Sequence, residues 1–259
     1  MRMDLHMHSN FSDGKNSLEE MIEAAIELGY DAIAITDHVW VTSDWVTEYA
    51  KRISQLKETY RSQIMLLSGI EAKVTNLNGN IDAHPSFFSM VDLVLGSMHR
   101  IPKSKGYYHL SNLRQSAVKG STIEPSSISK KSHNQIVDHW FQAFSNMLRN
   151  PHVDIVAHPL AELKEFGIML SDGQKEEVAK LLVESGKIIE FNVRHQVPDQ
   201  VLLNFLVLHD VPLTISSDSH SVTDLKTYGA AIRKLIESTK IKTVDISSYI
   251  EKKQKPNAF

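Results

Sequence analysis

Residues 17–38 read Ser17-Leu18-Glu19-Glu20-Met21-Ile22-Glu23-Ala24-Ala25-Ile26-Glu27-Leu28-Gly29-Tyr30-Asp31-Ala32-Ile33-Ala34-Ile35-Thr36-Asp37-His38. Ser17 with Glu20 three residues on is a capping box that opens a helix, and Gly29 is its C-terminal stop. The apolar, β-branched run Ala32–Thr36 that follows is a strand, and it ends on two polar residues, Asp37 and His38. This helix-then-strand unit recurs along the chain. Strands are expected at Met3–His6, Ala32–Thr36, Ile64–Ile70, Leu93–Ser97, Asp154–Ala157, Lys187–Phe191 and Pro212–Ser216, with helices near 17–28, 43–61, 132–149, 173–185, 198–208 and 222–237. Gly186 closes the helix before Lys187 in the same way. Seven strands alternating with helices imply an α/β fold, either a parallel barrel or an open doubly wound sheet.

Composition narrows the class. The 259 residues are 42% hydrophobic and 23% charged, ordinary values for a globular chain. A net charge of −3 gives no general attraction to nucleic acid or anionic membrane. No apolar run approaches the roughly 20 residues of a membrane helix. The start, Met1-Arg2-Met3-Asp4-Leu5-His6, lacks the apolar stretch of a signal peptide, so a cytoplasmic protein is expected. With no composition break, residues 1–259 are expected to form one domain with a frayed tail at 250–259. Residues 101–131, rich in Ser, Lys and Gly, form a long connection, either a lid with Lys103, Lys105 and Tyr107 near substrate or a plain linker. Zero cysteines exclude disulfides, thiolate nucleophiles and thiolate metal sites, whereas 13 His is a high number.

The histidines fall at one phase of the repeat. His6 and His8 end the first strand, His38 the second, Glu71 the third, His99 the fourth and His158 the fifth. Asn192 and Arg194 follow the sixth, and Asp218 and His220 the seventh. In a parallel α/β fold those strand ends share one face. Residues i and i+2 of a strand point the same way, so His6 with His8, and Asp218 with His220, can each grip one ion. Six imidazoles and three carboxylates (Asp13, Glu71, Asp218) exceed the needs of a single ion. Two or three divalent ions are implied, zinc, manganese or iron rather than magnesium, with Glu71 as a bridge. Asp13 lies in Ser12-Asp13-Gly14, which also fits a turn. Asp37 is a candidate partner orienting a ligand, and Asp4 a structural carboxylate. His84, His109, His133, His139, His152 and His209 lie in loops or helices away from this pattern.

Asp4-Leu5-His6-Met7-His8-Ser9-Asn10-Phe11-Ser12-Asp13-Gly14 resembles the opening motif of the PHP (polymerase and histidinol phosphatase) family. Ile35-Thr36-Asp37-His38, Gly69-Ile70-Glu71, Gly96-Ser97-Met98-His99, Ala157-His158-Pro159 and Ser217-Asp218-Ser219-His220 are similar to its later motifs, in the family's order. The resemblance implies a distorted seven-stranded β/α (TIM-like) barrel around a trinuclear site. It implies His6, His8, Glu71 and Asp218 at the first ion, Glu71, His99 and His158 at the second, and Asp13, His38 and His220 at the third. The implied activity is that of a stand-alone bacterial phosphoesterase in which metal-activated hydroxide attacks a small phosphate monoester, a phosphorylated metabolite. Glu190-Phe191-Asn192-Val193-Arg194 resembles the sixth-strand segment of histidinol-phosphate phosphatases, where an Arg meets the phosphate. Arg194 is therefore expected to contact phosphate, with Arg100 a second such residue and His195 a proton donor to the leaving group. Where those phosphatases place a further Arg, this chain reads Pro159-Leu160-Ala161-Glu162-Leu163. Histidinol-phosphate hydrolysis is one alternative, and nucleotide or oligonucleotide phosphodiester cleavage another. Nucleic acid is not indicated, because the basic 101–131 segment offers only Tyr107 and Tyr108 for stacking. A non-catalytic metal-binding domain is the remaining alternative.

Overall fold

The computed structural model describes residues 1–109, 130–238 and 241–254. Seven strands, β1 (Met3–Met7), β2 (Ala32–Val39), β3 (Met65–Lys73), β4 (Leu93–Ser97), β5 (Ile155–Val156), β6 (Ile188–Asn192) and β7 (Leu213–Ser216), lie side by side in chain order. All six neighbouring pairs are parallel. Helices α1 (Leu18–Glu27), α2 (Val46–Tyr60), α3 (Lys130–Leu148), α4 (Ala161–Glu165), α5 (Asp172–Ser185), α6 (Gln200–Leu208), α7 (Val222–Ser238) and α8 (Ile246–Gln254) occupy the connections and follow the last strand. The helix and strand pattern alone left a barrel and an open sheet both standing; the sheet closes on itself into the distorted barrel that the family resemblance implies. No described helix is long and apolar enough to cross a membrane.

Closure is imperfect, which is the distortion. β1 and β7 meet through a single bridge, Met7 with Ser219, and through His8 N to Ser219 O at 2.9 Å and Asp218 N to His6 O at 2.9 Å. Lower in the seam a side chain replaces the missing ladder. Buried Asp4 Oδ1 accepts from Ser217 N at 3.0 Å and His6 N at 3.3 Å. Backbone donors in a seam must be satisfied somewhere, and Asp4 does it.

The interior is filled by Met3, Leu5, Ala32, Ala34, Leu67, Leu93, Leu95, Ile155, Ala157 and Ile188, and Ile246 and Ile250 of α8 plug its lower end. The tail was expected to fray from residue 250; instead residues 250–254 complete α8. Ile250 is buried, and Lys253 Nζ pairs with Asp154 and donates to Asp92 O at 2.8 Å. Residues 255–259 lie outside the described set. The register of β1 shifts between Asp4 and Met7. Met3 and Leu5 face the apolar interior below the shift, and His6 and His8 face inward above it, so an irregularity of one residue converts an apolar wall into a ligand pair. Capping is as the sequence implies: Ser17 Oγ accepts from Glu20 N at 3.2 Å, and Glu20 Oε2 from Ser17 N at 2.8 Å.

Candidate metal centre

Above the apolar interior the strand ends bring nine side chains together. β1 presents His6 and His8, β2 His38, β3 Glu71, the end of β4 His99, the end of β5 His158, and the β7 end Asp218 and His220. Asp13 enters from the loop after β1. The turn that carries it requires glycine at its next position: a Cβ on Gly14 would lie 2.6 Å from His8 O. Asp37 does not orient an imidazole. It accepts from Ser9 N at 2.8 Å, Ser9 Oγ at 2.6 Å and Ser12 Oγ at 2.6 Å, and so fixes the loop that holds Asp13.

Glu71 is the hub. Its Oε1 lies 3.0 Å from His99 Nε2 and 2.9 Å from His158 Nε2. Its Oε2 lies 2.8 Å from His38 Nδ1, 3.4 Å from His6 Nε2 and 3.7 Å from His8 Nε2. Asp218 Oδ1 sits 3.2 Å from His8 Nε2 and 3.8 Å from His6 Nε2. On the outer side Asp13 faces His220 Nε2 at 3.4 Å, His38 Nε2 at 3.6 Å and His8 Nδ1 at 3.9 Å.

These spacings fit metal ions. Ligands about 2.1 Å from one ion stand roughly 3.0–3.4 Å apart in octahedral or tetrahedral arrangement. Four groups of donors meet this kind of convergence: His8, Asp13, His38 and His220; His6, His8 and Glu71; His6, His158 and Asp218; and His38, Glu71 and His99. Three of the four cut across the grouping the family resemblance implies: His8 joins Asp13, His38 and His220, His158 joins His6 and Asp218, and His38, which reaches both Asp13 and Glu71 through its two ring nitrogens, joins Glu71 and His99. His8 Nδ1 and His158 Nδ1 are buried without a hydrogen-bond partner among the described residues, and Glu71 Oε2, although close to His38 Nδ1, lacks hydrogen-bond geometry to it. Buried polar atoms left so are costly unless something binds them. An all-imidazole and carboxylate donor set, with no Lys in the cage, fits zinc, manganese or iron.

The electrostatics agree. Burial alone would raise Glu71 and Asp218; the facing imidazoles, His99 and His6 for Glu71 and His6 and His195 for Asp218, hold both carboxyls well below the usual range. Burial drives His8 down to about 4, which leaves it neutral, the ligating form. Burial would also lower His158, but the hydrogen bond to Glu71 overturns this and lifts it to about 9. Two of the nine residues, His158 (φ 32°) and Asp218 (φ 55°), have left-handed backbones. Such strain persists only where the surroundings fix it, and it clusters at functional sites.

Glu190 was not singled out as a site residue. Fully buried in β6, its Oε1 accepts from His6 Nδ1 at 2.9 Å and its Oε2 accepts from His158 N. A carboxylate inside Ile188-Ile189-Glu190-Phe191, an otherwise apolar strand, is the clue the sequence carried. Nearby, His195 Nε2 lies 3.1 Å from Asp218 Oδ2, and Asn192 Oδ1 accepts from His195 N at 3.0 Å. Arg194 is exposed at the mouth, its Nη1 donating to Asp218 O at 2.9 Å and lying 2.7 Å from His220 Nδ1, which itself is 2.9 Å from Asp218 O. Arg100 follows His99 and is exposed; among the described residues it makes no hydrogen bond or ion pair to the cage. Of the long connection, residues 110–129 lie outside the described set. Residues 101–109 include a bridge between Pro102 and Tyr107, with Lys103 Nζ over the Tyr108 ring at 5.5 Å.

A seven-stranded parallel barrel with a cage of His, Asp and Glu at its carboxyl end defines the class. A family model described as PHP domain matches residues 4–194, and the chain belongs to the PHP domain family. It is 28% identical over 251 residues to the DNA polymerase/3'-5' exonuclease PolX of Bacillus subtilis (strain 168), covering 92% of this chain but only 38% of PolX. It is 26% identical over 246 residues to a protein named "Probable phosphatase" from Caldicellulosiruptor saccharolyticus, covering 92% and 87% of the two chains. Among solved structures, the fold is similar to the histidinol phosphate phosphatase of Lactococcus lactis subsp. lactis, which was solved with zinc, L-histidinol and phosphate. The TM-score is 0.56 at 20% identity, covering 90% of this chain and 93% of that one.

Proposed function

We propose that the chain is a metal-dependent hydrolase of phosphate esters, acting as one PHP-type unit on a small phosphorylated metabolite. The observation that carries this reading is Glu71, whose two carboxylate oxygens each face a separate set of imidazoles. A shared carboxylate of that kind belongs to a multi-ion centre, and such centres suit in-line displacement at phosphorus. His6, His8, Glu71 and Asp218 would hold one ion, Glu71, His99 and His158 a second, and Asp13, His38 and His220 a third. The ions, when bound, supply Lewis-acid charge to the phosphoryl oxygens and make water acidic enough to react near neutral pH.

The remaining side chains bind substrate and move protons. Arg194 uses Nη1 on Asp218 O, which leaves Nε and Nη2 for a phosphate oxygen in a charge-assisted contact. Arg100 offers a second cation past the carboxyl end of β4. His195, paired with Asp218 and held by Asn192, is placed to give a proton to the departing alkoxide. The relative of 26% identity named as a phosphatase supports monoester chemistry, and it matches over most of both chains.

The test is phosphate release by purified protein with added manganese or zinc, from histidinol phosphate, sugar phosphates, nucleotides and a short oligonucleotide. Release from monoesters that disappears on chelation and is absent in His99→Ala supports the reading. Cleavage of the oligonucleotide alone replaces it with a phosphodiesterase, and no release with any ion sinks it.

A further inference from the structure

Trp40 stands one step beyond the cage. His38 and Glu71 are register partners on β2 and β3; Trp40 is the first residue past the end of β2 and Lys73 the last residue of β3, each two residues beyond its ligand. Both residues therefore lie at the carboxyl ends of their strands, the end that carries the cage. The Trp40 ring is 6.5 Å from the His38 ring, and Lys73 Nζ is 5.6 Å from the indole centroid. Although 44% of Trp40 is exposed, its backbone is tightly held. Trp40 N donates to Ser43 Oγ at 3.0 Å and Ser43 N to Trp40 O at 2.9 Å. Val41 N donates to Asp82 Oδ1 at 2.9 Å, and the other Asp82 oxygen pairs with Lys73 at 3.3 Å. A large apolar ring displayed at the mouth of a polar cage, on a fastened turn, is a preorganised contact surface.

We propose that the Trp40 indole stacks against a planar aromatic ring in the leaving group of the ester, making this a hydrolase of aromatic or nucleoside phosphates. The assignment rests on the hydrolase reading above and narrows its substrate class. An ester whose phosphoryl group sits among His38, Glu71 and their neighbours extends its leaving group toward the strand ends, where the indole lies. Lys73, bound to Asp82 beside the ring, keeps the indole face oriented. That side of the mouth therefore offers a flat ring beside a cation, the combination that holds bases and phosphates.

The experiment compares kcat/KM of the wild type, Trp40→Ala and Trp40→Phe on adenosine 5'-phosphate, phenyl phosphate and glycerol phosphate in one manganese buffer. Intrinsic reactivity cancels within each substrate. Trp40→Ala is expected to lose at least about tenfold more on the aromatic esters than on glycerol phosphate, mainly in KM, with Trp40→Phe restoring most of the loss. A loss on adenosine phosphate alone assigns the ring to a nucleobase; a loss on both aromatic esters assigns it to aryl groups generally. Adenosine phosphate should also quench tryptophan fluorescence in the wild type and less so in Trp40→Ala, against the background of Trp45 and buried Trp140. Equal losses on all three esters, or none, overturn the platform while leaving the hydrolase intact. No release from any ester by the wild type overturns the hydrolase reading and this assignment with it.

Discussion

Glu190 shows how one buried carboxylate can organise two others' work. Its oxygens engage the His6 ring and the His158 backbone, so it fixes the tautomer of one imidazole and the strained backbone of another. Glu190→Gln keeps the volume but offers an amide nitrogen to one of two donors. It is expected to weaken metal binding by about 10–100-fold. Titration of metal-stripped protein with zinc checks this, and unchanged affinity would remove Glu190 from the site. Glu162 tells a different story in the same neighbourhood. Burial lifts its carboxyl to about 7, while the Trp140 indole N–H donates to it. Its folded-state pKa lies above the ordinary 4.5, so the folded chain holds the proton more tightly than the unfolded one. That contribution is full below about 4.5 and is lost as pH rises through about 7. Glu162→Gln, which keeps the acceptor for Trp140, should flatten this limb. Melting temperatures from pH 5 to 8 should show the variant gaining on the wild type as pH rises.

At the level of elements, most of the architecture could be read from sequence because each strand is a short apolar run and each helix carries its own punctuation. Ser17, Gly29 and Gly186 act where expected, and β4 has the expected bounds. The convergence of nine polar side chains followed from strand polarity alone, since parallel strands put their carboxyl ends on one face. Other features depend on contacts far along the chain. The register shift in β1 has no local marker, so Leu5 and His6 look like residues on opposite faces of one regular strand. α8 has Ile246 and Ile250 as its buried residues, too few for a periodic pattern, and its lysines suggested a solvated tail. Glu190 lies in a strand whose burial shows only once the barrel is closed. Gly14 is the element-scale test of the site. Gly14→Ala places a methyl within 2.6 Å of His8 O and must displace the turn bearing Asp13. One ion fewer per chain is expected, measured by metal analysis after dialysis, with the fold retained by circular dichroism.

For the whole molecule, the barrel is an apolar column with a polar cap and a separate plug. The plug is α8, which inserts Ile246 and Ile250 at the end away from the cage. Ile250→Ala should cost about 2–4 kcal/mol of stability, as other buried large-to-small changes do. Metal content should stay the same, because the interior layers lie between the two ends. A variant that lost metal together with stability would show that the ends are coupled.

The narrow seam between β1 and β7 also sets an order of events. Donors for the cage come from residues as far apart as His6 and His220, and β1 has no partner on that side until β7 is in place. Closing so long a loop is slow compared with pairing neighbouring strands. During synthesis, six strands can accumulate while the first still shows a bare edge, and the donor sets that use Asp218 and His220 stay incomplete until those residues have left the ribosome. Filling of those two sets is thus a late event in the life of the chain, and an ion held by His6, His8 and Asp218 would act as a clasp between its earliest and latest strands.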